Sequence, residues 1–349
     1  MTNGFLRTSA TFAVCCFAAA PNLVAQQAKH HTLRATADSV VVGYYDASTK
    51  PALRIRSGDT VTIETLGVGS GEMLEAAGVP RAQIEPLKFE IAAKDPKARG
   101  HYLTGPIYVE GAEPGDVLEV DIRDIRLVHD YSYNGMGNNG VLADLFADRP
   151  ADRKRRIIPL DRKTMTAPFA PGVVVPLQPF FGSMGVAPPA SAGRISSSPP
   201  GYHAGNLDNK ELTAGAKLYI PVHVAGALFQ VGDGHAAQAD GEADQTGLET
   251  SLTGDFRFTV RKDVKLTWPM AETKTHFITM GLDPDINRAI RLAATETIDF
   301  LMRHVPGMTR ENAYMLMSVG IDLRITQLVD GTKGAHAMIP KSLFTGARR

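Results

Sequence analysis

From His203 to Glu242 the chain reads HAGNLDNKELTAGAKLYIPVHVAGALFQVGDGHAAQADGE. Two polar clusters enclose one apolar run. His203, Asn206 and Asp208 form the first, and Asp233, His235, Gln238, Asp240 and Glu242 the second. Between them, Leu218 to Phe229 has the β-branched and aromatic content of a buried strand. Ionised carboxylates resist burial unless a cation or hydrogen bonds compensate. A divalent metal would satisfy the acids at both ends of the strand together.

Outward from this stretch the sequence repeats one grammar, a glycine turn followed by an alternating strand. Ser57-Gly-Asp-Thr-Val-Thr-Ile63, Pro114-Gly-Asp-Val-Leu-Glu-Val120 and Ala214-Gly-Ala-Lys-Leu-Tyr-Ile220 all follow it. The period of two predicts half-buried hairpins, one of them over residues 51–65. Residues 72–77 hint at a short helix, and 80–100 read as polar loop. Gly135 to Gly140 reads as a ligand-lining loop. Pro179 to Pro188 is too apolar for a linker and reads as ordered loop beside the site. Helix comes late. Asp283 as a cap with Pro284 in the first turn opens one that runs to about His304. Thr309 opens a second, with Ala313, Leu316 and Met317 inward, before strand alternation returns at Ile321. The fold class is mainly β, of sandwich or barrel type, with a C-terminal helical pair, α+β overall.

At 349 residues with 44% hydrophobic and 21% charged, the chain can bury a large core. Its formal net charge of zero gives no global pull toward nucleic acid or an anionic membrane. The basic run Arg153 to Arg156 reads as a solvated loop. Residues 1–25 have the form of a signal peptide. Arg7 supplies the positive charge, Ala10 to Ala20 the apolar segment, and Ala25 the cleavage position. Export to the periplasm or medium is the expectation, with no membrane attachment after cleavage. Residues 26–349 then form one catalytic domain, with two intertwined β subdomains as an option. Cys15 and Cys16 both fall in the leader, so a mature chain has no thiolate for a disulfide, a metal or a nucleophile. A homo-oligomer is the expected assembly.

Asp233-Gly234-His235 followed by Glu242, with Asp208 reaching in from the other end, offers one imidazole and several carboxylates. Such a set suits zinc or another divalent cation. With an open position, the cation would bring a bound water's pKa to roughly 7 and polarise a carbonyl. Glu110 or Glu113 could then carry the proton to a leaving amine. The same residues also read as ordinary structure. Asp233-Gly234 suits a hairpin turn, His235 a loop position, and Glu110 to Glu113 a polar approach to the next turn. There is no Gly-x-Ser-x-Gly elbow and no phosphate-binding glycine loop.

Several long motifs in one order resemble the acetamidase/formamidase family of amide hydrolases. They are Thr104-Gly-Pro-Ile-Tyr-Val-Glu-Gly-Ala-Glu-Pro-Gly-Asp116, Pro179 to Pro188, Pro199 to Leu212 and Gly226 to Glu242, with Gly320 to Ile325 and Ile339 to Phe344 near the end. The resemblance runs from about His31 to Phe344. It implies hydrolysis of a small linear amide, such as formamide or acetamide, to ammonia and a carboxylate. It also implies a mostly β architecture and, in some members, zinc. It raises Asp208, His235 and Glu242 as ligands, with Asp233 an alternative, and Glu113 or Glu110 as proton shuttle. Asn206, Gln238 and Phe181 are the expected substrate contacts. Ala204, Ala239 and Leu207 depart from the family pattern but leave the candidate ligands intact. Two alternatives stand beside this reading, a non-catalytic metal-stabilised β-sandwich binding protein and a lactam hydrolase on the same scaffold.

Overall fold

The computed structural model describes residues 1, 27–150 and 154–345. The expected leader, with both cysteines, lies outside the described residues apart from Met1. Two sheets form the body. The larger has nine strands, and its middle runs Thr60–Glu64, Leu252–Arg261, Val117–Leu127, Lys217–Pro221. The smaller has six. It runs Ala204–Asn206, Phe180–Gly185, Phe229–His235, Tyr102–Glu110, Val40–Val42, with Leu53–Arg56 parallel beside Tyr102–Glu110. Phe181 and Phe229 of the smaller sheet meet Phe256 of the larger at 5.4 and 6.4 Å between ring centroids. That face-to-face contact makes one shared core, as expected of a β-sandwich.

The alternating strands form where predicted. In Thr60–Glu64, Val61 and Ile63 are buried while Thr60, Thr62 and Glu64 are half-exposed. The connections differ from the prediction. None of the three glycine turns closes a hairpin. Leu53–Arg56 lies in the smaller sheet and Thr60–Glu64 in the larger. Tyr102–Glu110 and Val117–Leu127 divide the same way, as do Ala204–Asn206 and Lys217–Pro221. Each turn is therefore an arch between layers. Ile55 and Val61 point into the one core from opposite sides. Alternation specifies which face is apolar; it does not specify which strand is the partner.

The single strand expected over Leu218 to Phe229 is likewise two. Lys217–Pro221 pairs with Val117–Leu127 in the larger sheet. Pro221 offers no N–H to continue it. Gly226, Ala227 and Leu228 then take left-handed backbone (φ 77°, 59° and 59°) and turn the chain across the sandwich. Phe229–His235 becomes a central strand of the smaller sheet, between Phe180–Gly185 and Tyr102–Glu110. The region expected as loop over 179–188 is thus largely strand.

At the C-terminal end, the helix Ile286–His304 packs on His276–Asp283 and Lys333–Pro340 of the larger sheet. Its cap is Asp285, which accepts from the Asn287 and Arg288 N–H groups at 2.8 and 3.2 Å. Asp283 and Pro284 precede the cap and do not form it. Thr309 caps the second helix, Arg310–Gly320, as predicted. Residues 80–100 hold an unpredicted helix, Pro86–Lys94. Among the described residues, no helix is long and apolar enough to cross a membrane.

Candidate active site

Phe229–His235 is buried along its whole length and delivers Asp233 and His235 to one end of the smaller sheet. The neighbouring strand presents Gly182 there. A Cβ at Gly182 would strike Asp208 Oδ1 and stand 2.5 Å from Asp233 Oδ2, so the glycine is the floor on which the two carboxylates rest. Around them lies a cavity of about 260 Å³. Asp208, Asp233, His235, Glu242, Glu249 and Asp330 line it, as do Val68, Met73 and Met136. His235 Nε2 lies 3.2 Å from Glu249 Oε1 and 3.5 Å from Asp233 Oδ1. His101 Nε2 stands 3.8 Å from Asp233 Oδ2. The Asn206 amide donates to Asp208 Oδ2 at 2.7 Å and Asp330 Oδ2 at 3.0 Å, drawing the two acids together.

The His235 tautomer follows from its neighbour. The Gln238 amide nitrogen donates to the Asp208 and Thr326 carbonyls at 2.9 and 3.3 Å. Gln238 Oε1 therefore faces His235 Nδ1, at 2.8 Å, and must accept from it. Nε2 is left to face the carboxylates, the arrangement of a ligating imidazole. Burial pushes the Asp208 carboxyl well above its usual range, and Glu242 and Asp233 add to the shift. Burial also raises Glu242 strongly, despite His235. Asp233 is opposite: burial opposes its charge, yet His101 and His235 hold it down to about 2. Burial opposes charge on His235 too, but Glu249 and Asp233 raise it well above the ordinary value.

Three of the acids stand on left-handed backbone: Asp208 at φ 43°, Asp233 at 57° and Glu242 at 45°. Such conformations cost about 1–3 kcal/mol each and concentrate at functional sites. Asn206 Oδ1, Asp208 Oδ1, Glu242 Oε2 and Glu249 Oε2 are buried without a hydrogen-bond partner. Donor atoms of Asp208, His235 and Glu242 lie within 4.8 Å of one another, as do those of Asp233, His235 and Glu249. Unpartnered carboxylate oxygens around one imidazole fit a divalent cation.

The sequence profile of the acetamidase/formamidase family matches residues 44–195 and 190–346. The chain belongs to this family. A formamidase from Methylophilus methylotrophus is 26% identical over 315 residues, 70% of this chain and 77% of its own length. An acetamidase from Mycolicibacterium smegmatis is 26% identical, over 62% of this chain and 72% of its own. The crystal structure of an acetamidase from Bacillus halodurans, 29% identical, superposes with a TM-score of 0.77, covering 91% of this chain and 100% of that one.

The acetamidase/formamidase motifs converge on the cavity unevenly. Asp208, Asp233, His235, Glu242 and Asn206 all line it. Glu110 and Glu113 do not; both are exposed, at the arch between Tyr102–Glu110 and Val117–Leu127. The expected proton-shuttle role therefore draws no support from their placement, which is apart from the residues that line the cavity. Phe181 is fully buried against Phe256 and belongs to the core, not to the substrate surface. Gln238 orients His235 and does not line the cavity. Asp233 and His235 lie on a strand, not on the expected loop. Arg155, expected in a solvated loop, opens the strand Arg155–Pro159 and lines the cavity. Glu249 and Asp330 have no mark in the sequence. Glu249 lies in a mostly polar segment, Asp244-Gln-Thr-Gly-Leu-Glu-Thr-Ser251, where no spacing singles it out, and Asp330 reads as an ordinary Asp-Gly turn residue.

Proposed function

We propose that this cavity hydrolyses the C–N bond of a small linear amide, with water, to ammonia and a carboxylate. The observation that carries the reading is the group of unpartnered buried carboxylates around His235 in a chain of the acetamidase/formamidase family. Asp208, His235 and Glu242 would hold a divalent cation, zinc by expectation, with Asp233 as a further ligand. Such a cation supplies Lewis acidity and makes water more acidic. The protein's own part is positional and acid–base. Gln238 fixes the His235 ring, and Asn206 fixes Asp208. Glu249 accepts a proton from the attacking water and returns it to the nitrogen as the C–N bond breaks. Its Oε1 is held by the Gly247 N–H at 2.8 Å, leaving Oε2 for that exchange.

A cavity of about 260 Å³ lies at the small end of ligand pockets, which suits a small amide better than a drug-sized one; formamide, acetamide and propionamide are the linear candidates. Ammonia release from these three and a γ-lactam tests the reading. Turnover of the linear amides, lost in His235→Ala, is the expected result. Saturable binding with no ammonia from any of them would favour a binding protein. Export with cleavage after Ala25 is also proposed, and N-terminal sequencing of the secreted protein checks it. A homo-oligomer is proposed as the working form; a single-chain mass by light scattering would refute that.

A further inference from the structure

Lys88 is buried to 1% exposure on the helix Pro86–Lys94, behind the cavity. Its ammonium donates to the Gly69 carbonyl at 2.9 Å and to the Gly67 carbonyl. These two carbonyls flank Val68, which lines the cavity. The segment is fixed from other directions too. The Gly67 N–H donates to Ser251 Oγ at 2.8 Å. Ser251 in turn donates to Glu85, which is also bonded to His129 at 2.7 Å. Gly67 presses on the Thr250 backbone so closely that a Cβ would lie 2.7 Å from its carbonyl carbon. Ser70 caps the next helix by accepting from the Met73 N–H at 3.2 Å, and Met73 lines the same cavity.

A fully buried lysine opposes the ordinary rule that ammonium groups stay in water. Burial lowers it to about 8, against the pull of Glu85 and Glu249. The fold tolerates this cation where it grips the backbone on both sides of one cavity-lining residue. Lys88 and Glu249 also line a second small cavity, and Glu249 lines the main one. The clamp therefore joins the Val68 wall to the acid face. Val68, Met73 and Met136 offer apolar surface, whereas Asp208, His235 and Glu249 offer charge. An amide oriented by that division places its polar group on the acids and its acyl chain on the wall.

We propose that Lys88 is the positioning residue of an acyl-selecting wall. By holding the carbonyls on either side of Val68, it sets Val68 and Met73 at a depth that admits a short unbranched acyl group and rejects longer ones. The inference rests on the amidase reading above. Its test is kcat and KM for formamide, acetamide, propionamide and butyramide with the full mature enzyme and its variants. One methylene in an apolar pocket is worth about 10-fold or more in discrimination. Val68→Ala should raise the butyramide-to-acetamide ratio of kcat/KM by about 10-fold. Lys88→Met should flatten the chain-length profile, with the loss on acetamide falling on KM more than on kcat. An unchanged profile in an active Val68→Ala enzyme would overturn the wall and leave the amidase standing. A changed profile in Val68→Ala with an unchanged one in folded Lys88→Met would remove Lys88 from the role. If Lys88→Met fails to fold, Lys88→Gln, which is uncharged and too short to span both carbonyls, with an unaltered profile and unaltered KM would remove it equally. Wild-type enzyme that releases no ammonia from any amide would sink the amidase reading, and this inference with it.

Discussion

At Glu249, one carboxylate oxygen accepts the Gly247 N–H and lies 3.2 Å from His235, while the other is buried without a partner. A carboxylate held at one end and free at the other is placed to exchange a proton. Positioned acid–base groups typically contribute about 10²–10⁴-fold in rate. Glu249→Gln keeps the shape and removes the exchange, so kcat for acetamide should fall by that order with near-native melting. Glu113→Gln, at the exposed arch, should change kcat by no more than about twofold, the range of a surface substitution. A steady-state assay of the two variants side by side checks both. The opposite ranking would return the shuttle to the arch.

Among the elements, the strand Phe180–Gly185 bears most directly on the site. Gly182 leaves room for Asp208 and Asp233, and any Cβ intrudes on both carboxylates. Gly182→Ala should weaken cation affinity by about 10–100-fold, as displaced supporting contacts do at metal sites. Isothermal titration with zinc into stripped protein measures it; an unchanged Kd would contradict the floor role. The strand also marks where sequence reading stops. Asp208, Asp233, His235 and Glu242 were legible because acids and an imidazole crowd both ends of one apolar run. The helical pair was legible from its spacing and from Thr309. Sheet membership was not, because Ser57-Gly58-Asp59 looks the same whether the next strand folds back or crosses to the other layer. Lys88 was hidden because a lysine in a polar stretch ordinarily stays in solvent, and only the folded helix turns it inward. Glu249 and Asp330 reach the cavity from distant segments, a proximity that no local pattern encodes.

Across the whole molecule, the carboxylate cluster sets a pH dependence that a cation should change. Asp208 and Glu242 are raised first by burial and then by neighbouring acids. A folded pKa above the unfolded value means that the folded state binds more protons through the intervening window. Stability then falls as pH rises from the ordinary carboxylate range through the raised values. His235, also raised when no cation is bound, contributes with the same sign: its stabilisation is present at low pH and lost as pH rises through its folded value. Burial lowers His203 to about 3 and His336 to about 4, so their stabilisation is lost as pH falls and opposes this trend below about pH 6.5. The cluster's share is therefore read as a difference: from pH 5 to pH 8 the melting temperature of chelated wild type should change less favourably than that of chelated Glu242→Gln. Zinc should oppose that trend if the proposed site takes it, because it would bind the ionised acids of the folded state. Thermal melts at the two pH values, with and without zinc, test this. The same pH dependence in chelated Glu242→Gln as in chelated wild type would contradict it.

The most direct test of the account is ammonia release from acetamide by the mature protein, with metal content measured in the same samples before chelation, after chelation and after zinc is restored. The account predicts turnover that disappears with the metal and returns with it. Full turnover in protein shown to be free of metal would contradict the assignment of Asp208, His235 and Glu242 as cation ligands.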